Sequence, residues 1–154
     1  MHPALIHFIP RFRVSVLAVL GGIVADNGLS YLFTIIYDIF LSSTLALPDS
    51  TPEAFTKYIN TSHLLLLSYL MVGFLGTFCG AYLTATLARE DKIANATLVG
   101  VAALLLGLFF WGGNPTWVDI LGLILIVPIA AFAGFCARWI GGTPEAPASA
   151  DNPE

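Results

Sequence analysis

The chain has 154 residues, enough for one domain, and 57% of them are hydrophobic whereas only 10% are charged. Soluble domains carry about 25% charged residues, so this composition excludes a soluble globular protein and indicates an integral membrane protein. The net charge of −4 and the scattered positions of the six basic residues also exclude a nucleic-acid-binding protein, which needs a positive surface patch.

The first predicted element is a membrane span near residues 12–40. An apolar run covers residues 14–47, interrupted by Asp26. At about 1.5 Å per residue, the opening two dozen residues of this run cross a hydrocarbon core about 30 Å thick. Centring the span places Asp26 near the bilayer midplane, where an unpaired charge costs about 3 kcal/mol or more. An ionisable residue at that depth is a hypothesis of a functional site.

A polar stripe follows one face of this first span. Its members recur at about one helical turn and therefore lie above one another: Asp26, Ser30, Thr34, Tyr37 and Asp38. We predict one of two roles for the stripe. It is a proton or cation route in which Asp26 titrates, or it is a set of polar contacts that fixes helix packing.

Asp26, Asn27 and Gly28 also have the pattern of a helix break, because Asn-Gly is a turn signal and Asp often caps a helix. A break at the midplane is tolerated only where the backbone is buried or faces water, and its free backbone groups would then hold an ion or a substrate. We favour an unbroken helix, with Gly28 at a close helix contact.

A loop at residues 45–60 follows, in which residues 54–59 are predicted as a short helix at the membrane interface. The second span is predicted near residues 62–88. Small residues on it allow close approach of another helix, either from the same chain or from a second copy: Gly73, Gly76, Gly80 and Thr84. Thr77 lies at the depth of Asp26, so we predict that its hydroxyl group reaches the carboxyl group.

The third and fourth spans are predicted near residues 94–111 and 117–139, and the short link before the third makes spans two and three an antiparallel hairpin. Pro128 lies near the centre of span four, where proline usually kinks a helix, and we include it among the packing positions. Residues 143–154 are rich in Pro, Ala and acidic residues and are predicted to be a disordered tail, so that residues 1–142 form the transmembrane domain.

The basic residues predict the orientation. Five of the six fall on the same side of a four-span arrangement: Arg11, Arg13, Arg89, Lys92 and Arg138. The positive-inside rule therefore predicts that both termini are cytoplasmic. The fold class that we predict is all-α, an integral membrane bundle of four transmembrane helices in a bacterial inner membrane.

Residues 80–89 read Gly-Ala-Tyr-Leu-Thr-Ala-Thr-Leu-Ala-Arg and are followed by a short charged link and another apolar helix. This segment resembles a hairpin of small uncharacterised bacterial inner-membrane proteins, in which the pattern is Gly-Gly-Tyr-x-x-Ala-x-x-Ala-Arg. Ala81 stands where that pattern has its second glycine. The resemblance covers about a third of the chain. It implies four helices and a membrane location, and it implies no reaction.

The sequence contains no motif of a nucleophile elbow, a phosphate loop or a zinc protease. His63 alone supplies too few ligands for a metal ion or a haem, so we predict no cofactor and no metal site. The function that we predict first is a structural or accessory subunit of a membrane assembly. Its partners would be the lipid bilayer and either copies of itself or other membrane subunits. The alternative is an oligomeric proton-coupled transporter of small molecules or ions that uses Asp26, and an enzyme is expected least.

Overall fold

A computed structural model of the chain describes residues 14–44, 51–109 and 115–141. Residues in these ranges form five α-helices: α1 (Val16–Thr44), α2 (Pro52–Thr61), α3 (His63–Leu87), α4 (Lys92–Phe109) and α5 (Thr116–Ile140). Four of them, α1, α3, α4 and α5, are long and apolar enough to cross a membrane, which confirms the predicted number of spans. The predicted tail and the basic residues before α1 lie outside the described residues.

α1 extends from Val16 to Thr44 within the described residues, beside the span predicted near residues 12–40. Before it, Val14 and Ser15 are not helical, and the backbone N–H of Ser15 donates to Oδ1 of Asn95 in α4 at 2.7 Å. At the other end, the carbonyl oxygen of Phe40 accepts hydrogen bonds from the hydroxyl groups of Ser43 and Thr44. A contact with a distant helix thus lies just before α1, and local side-chain bonds lie in its last described turn.

α3 is the central helix, because it contacts each of the other four. α1 packs mainly against α3, and α4 packs mainly against α5. α1 also contacts α4, whereas the described parts of α1 and α5 do not touch. We call the end of the bundle at residues 88–91, between α3 and α4, the turn end, and the opposite end, which carries α2, the α2 end.

The half of the bundle at the turn end is packed with small side chains. They come from α3, α4 and α5 and form one buried cluster: Ala81, Ala85, Ala96, Val99, Ala130, Ala133 and Ala137. Small residues let helix backbones approach closely in a membrane, where packing rather than the hydrophobic effect holds helices together. A smaller cluster of Ile59, Leu66 and Val118 lies at the α2 end. The two ends therefore differ in how tightly they are filled.

Asn95, near the start of α4, is fully buried and connects three segments. Its Oδ1 accepts from the Ser15 N–H, and its Nδ2 donates to the carbonyl oxygens of Glu90 and Asp91, both at 3.1 Å. Asp91 has a φ of 48°, the left-handed conformation that Asp adopts more readily than most residues other than glycine. The Asn95 side chain thus holds both this turn and the start of α1 against α4.

We predict that Asn95→Ala lowers the free energy of unfolding by about 2 kcal/mol, because it leaves a buried N–H group and two carbonyl groups without this partner. The matched control is Thr97→Ala, which removes only a hydroxyl bond to the Ile93 carbonyl of its own helix. The control should change stability by less than about 0.5 kcal/mol. Reversible unfolding in mixed detergent micelles measures both, and equal losses would contradict the role of Asn95.

Candidate functional site

The contact between α1 and α3 follows one antiparallel register. Asp26 of α1 lies opposite Gly80 of α3. Four residues further along α1, Ser30 lies opposite Gly76, four residues earlier in α3. A Cβ atom at Gly80 would lie 2.7 Å from the backbone nitrogen of Asp26 and 2.7 Å from the carbonyl oxygen of Gly22. Only glycine therefore lets the two backbones approach this closely.

The same register continues to the turn end, where Gly22 lies opposite Thr84. Thr84 is fully buried, and its hydroxyl group shares its proton between the carbonyl oxygens of Ala18 at 3.1 Å and Gly80 at 3.0 Å. Gly76 and Gly80 thus face α1 of the same chain. A contact between two copies through this glycine face, which the sequence allowed, has no room while α1 is in place.

Asp26 is 5% exposed and lies within α1, which passes through Asn27 and Gly28 without a break. The carboxyl group accepts a hydrogen bond from the Ser30 hydroxyl at 3.4 Å. Thr77 of α3 lines the same cavity as Asp26, and a hydrogen bond between the two side chains stays a prediction. The prediction of a close contact at Gly28 is wrong within the chain, because a Cβ atom there would meet nothing within 4 Å.

A cavity of about 660 Å³ opens beside Asp26 and extends to the α2 end. All five helices contribute to its walls. Its described polar lining residues are Asp26, Asn27, Ser30, Asp38, Thr56, Asn60, Tyr69, Thr77 and Asp119. The remaining wall is apolar and comes mostly from α3, α4 and α5. Among the lining residues that the structure describes, three are acidic and none is Lys, Arg or His.

A second polar group lies about 18 Å along α1 from Asp26, at the α2 end of the cavity. The Tyr69 hydroxyl donates to Oδ1 of Asp38, and both residues line the cavity. Next to them, the hydroxyl groups of Tyr37 and Ser68 are hydrogen-bonded to each other. The rings of Tyr37 and Tyr69 meet edge to face with their centroids 5.0 Å apart. The orientation of the Tyr69 ring is thus fixed by a hydrogen bond and a ring contact.

The remaining residues of the predicted stripe take different positions. Thr34 is half-buried and does not line the cavity. Asn27 lines the cavity and donates to the carbonyl oxygen of Ile23 in its own helix at 2.8 Å. The stripe therefore does not line the cavity along its whole length. It contributes Asp26 and Ser30 at one level, where Asn27 also lines the cavity, and Asp38 at another.

Two predicted packing residues differ from Gly76 and Gly80. Gly73 lines the cavity, its carbonyl oxygen accepts from the Ser30 hydroxyl at 3.4 Å, and a Cβ atom there would meet nothing within 4 Å. Pro128 lies on an exposed face of α5, which is helical from Thr116 to Ile140. Neither residue is at a close helix contact within the chain.

Sequence reasoning did not single out Tyr69 or Asp119 as site residues. Asp119 lies in the first turn of α5, where an acidic residue is ordinary because it complements the helix dipole. The signal for Tyr69 is the antiparallel register itself, which places this part of α3 opposite Asp38. Only the placement of the helices around the cavity brings Asp119 to the same space.

The chemistry that the site offers is that of carboxyl, hydroxyl and amide groups around an apolar space. Within the described ranges, no three His, Cys, Asp or Glu side chains lie close enough together to hold a metal ion. Comparison with protein families, with curated proteins and with solved structures finds no match to the chain.

We predict that Gly80→Ala lowers the free energy of unfolding by about 1–3 kcal/mol, because the added methyl group would overlap backbone atoms of α1. Gly73→Ala is the matched control in the same helix and should leave stability unchanged or raise it by up to about 1 kcal/mol, since alanine favours a helix. Thermal unfolding in detergent measures the difference. Equal stability of the two variants would contradict the close contact of α1 with α3.

Proposed function

We propose that the protein is a small membrane transporter that exchanges protons for a small solute, with Asp26 as the residue that carries the proton. The observation that supports this function is the cavity, which joins a nearly buried carboxyl group to one end of the bundle. Its volume of about 660 Å³ lies within the range of about 300–1,000 Å³ that is usual for small-molecule sites.

The surroundings of Asp26 suit a group that binds and releases a proton. The Ser30 hydroxyl donates to the Asp26 carboxyl group, and the Thr77 hydroxyl belongs to the wall of the same cavity. A hydroxyl group donates to a carboxylate and accepts from a carboxylic acid, so hydroxyl neighbours suit either protonation state. The other titratable residues that line the cavity in the described part of the chain are Asp38, Tyr69 and Asp119, all nearer the α2 end.

The cavity reaches Asp26 from the α2 end, as one state of a transporter would require. Towards the turn end, the contact of Gly22 with Thr84 and the cluster around Ala85 fill the bundle. The proposal includes the orientation that the basic residues predict, in a bacterial inner membrane with both termini in the cytoplasm. In that orientation, the cavity is open to the outside.

A second candidate is a subunit of a membrane assembly, and the exposed surface of α1 favours it. Only four of the 29 residues of α1 are buried: Ala18, Gly22, Asp26 and Leu41. In a bilayer this surface faces either lipid chains or a helix of another subunit or of a second copy. A transporter that works as an oligomer would use the same surface, so the two candidates differ in whether Asp26 has a chemical task.

We predict that a cysteine at position 30 reacts with a membrane-impermeant cationic thiol reagent from the side of the α2 end only. The variant Ser30→Cys would carry Cys79→Ser and Cys136→Ser, and reaction would be compared in right-side-out and inverted membrane vesicles. The control is Ala85→Cys, placed in the packed half, which should not react from either side. Equal reaction of position 30 from both sides would contradict one-sided access.

We predict that Asp26→Asn slows proton exchange at least about tenfold while the protein stays folded, because an amide still hydrogen-bonds with hydroxyl groups but carries no exchangeable acid proton. The measurement uses proteoliposomes that contain a pH-sensitive dye and receive, in turn, sodium chloride, benzyltrimethylammonium chloride, glycine and glucose. At least one of these solutes should drive a proton flux in the unmutated protein. The control is Thr86→Val, an exposed hydroxyl of α3.

Absence of a proton flux with all four solutes would overturn the transporter. A normal flux in Asp26→Asn would remove Asp26 from the mechanism and favour the assembly subunit, which should tolerate this substitution.

A further inference from the structure

We propose that the solute is an organic ammonium ion and that Asp38 and Tyr69 form the site that recognises its charged group. This inference rests on the proposed function and names the class of solute. It concerns the wide end of the cavity, whereas the proton is carried by Asp26 at the other end.

The charges of the cavity select for a cation. Asp26, Asp38 and Asp119 belong to two different helices and lie at different heights along the cavity, and no Lys, Arg or His is among its described lining residues. Asp26 is the neutral acid until the solute arrives, so the negative charge that attracts the solute comes from the carboxyl groups nearer the α2 end. Negative charge in an enclosure with low-dielectric walls concentrates cations and repels anions. The cavity therefore has the sign that a positively charged solute needs.

Asp38 and Tyr69 together provide what an ammonium group binds. The Tyr69 hydroxyl occupies one position on Oδ1 of Asp38, and a carboxylate accepts at two oxygen atoms. The Tyr69 ring lines the cavity and is held in place by Tyr37. A quaternary ammonium ion is attracted both by a carboxylate and by the face of an aromatic ring within about 6 Å. The hydrogen bond between Tyr69 and Asp38 keeps the aromatic ring and the carboxylate next to each other.

The rest of the wall favours an organic ion over a bare metal ion. Leu66, Leu70 and Phe74 of α3 face the cavity together with apolar residues of α4 and α5, Leu106, Leu123 and Ile126. Calcium or magnesium needs about six oxygen ligands, usually including several carboxylates, and among the described residues no three His, Cys, Asp or Glu side chains lie together. Apolar walls instead bind the hydrocarbon part of a solute. The cavity thus matches an ion with a charged head and an apolar body.

The exchange conserves charge at Asp26. The ammonium ion is held first near Asp38 and then moves along the cavity to Asp26, where the carboxylic acid loses its proton to water as the cation arrives. One positive charge enters the site and one leaves, so no uncompensated carboxylate is left at the bilayer midplane, where such a charge is costly.

The test is equilibrium dialysis of the purified full chain in detergent against radiolabelled benzyltrimethylammonium, with protein-free micelles subtracted. Unlabelled tetramethylammonium, which has the same head without the apolar body, should compete about tenfold less well. Benzenesulfonate, which has an aromatic body and a negative charge, should not compete. Sodium should compete only at concentrations that screen charge.

The variants separate the two components of the site. Asp38→Asn should weaken binding about tenfold or more, and Asp38→Glu should restore most of it, because the charge is kept. Tyr69→Leu should weaken binding about threefold or more through loss of the ring. Tyr37→Phe is the matched control. It removes the hydrogen bond between the Tyr37 and Ser68 hydroxyl groups, next to Asp38 and Tyr69, but Tyr37 itself does not line the cavity.

Equal competition by benzyltrimethylammonium and benzenesulfonate, or unchanged binding in Asp38→Asn, would overturn the proposal. So would a proton flux that sodium drives through Asp26 and benzyltrimethylammonium does not. That last result would leave the proposed transporter standing and reject only the class of solute. No proton flux with any solute, by contrast, would reject the transporter itself.

Discussion

A carboxyl group at the centre of an apolar helix bundle must keep hydrogen-bond partners whether or not it is protonated, and the arrangement of α1 on α3 follows from that requirement. Asp26 accepts a hydrogen bond from Ser30 of its own helix, and Thr77 of α3 lines the same cavity. α3 lies this near to Asp26 because Gly76 and Gly80 let the two backbones come close together. The same approach lets Thr84 donate across the helix boundary to Ala18. The contact that packs α1 closely on α3 is therefore also the one that supplies hydrogen-bond partners to the polar groups at the helix boundary.

The helices are packed differently at the two ends of the bundle. At the turn end, alanine and glycine give short distances between helices, and Asn95 satisfies the backbone groups that remain. Towards the α2 end, the cavity lies between the five helices, and a second, smaller buried cluster contains larger side chains, Ile59, Leu66 and Val118. The cavity thus begins at Asp26, where the run of close glycine contacts between α1 and α3 ends.

Much of this arrangement was predictable from the sequence, and the part that was not depends on contacts between distant segments. Hydrophobic length identified the four spanning helices, and small residues spaced four positions apart indicated that α3 has a face for close packing. The hydrogen bond from Ser15 to Asn95 escaped prediction because the two residues lie eighty positions apart in the sequence. Asp119 escaped prediction because nothing local distinguishes an acid that faces a cavity from one that complements a helix dipole. Helical periodicity predicts which residues share a face of a helix, but it does not predict which helix or cavity that face contacts.

The separation of Asp26 from Thr77 along the chain also has a consequence for biosynthesis. At about 5–20 residues per second, the ribosome needs several seconds, roughly 3–10 s, to add the stretch of about fifty residues between them. During this interval α1 has no partner helix for its acid, and the charged form of the acid is costly at that depth. The rest of α1 is apolar over a length that crosses a membrane, so the helix can enter the bilayer with the acid protonated. The close contact with α3 then forms inside the bilayer, as a step that follows insertion.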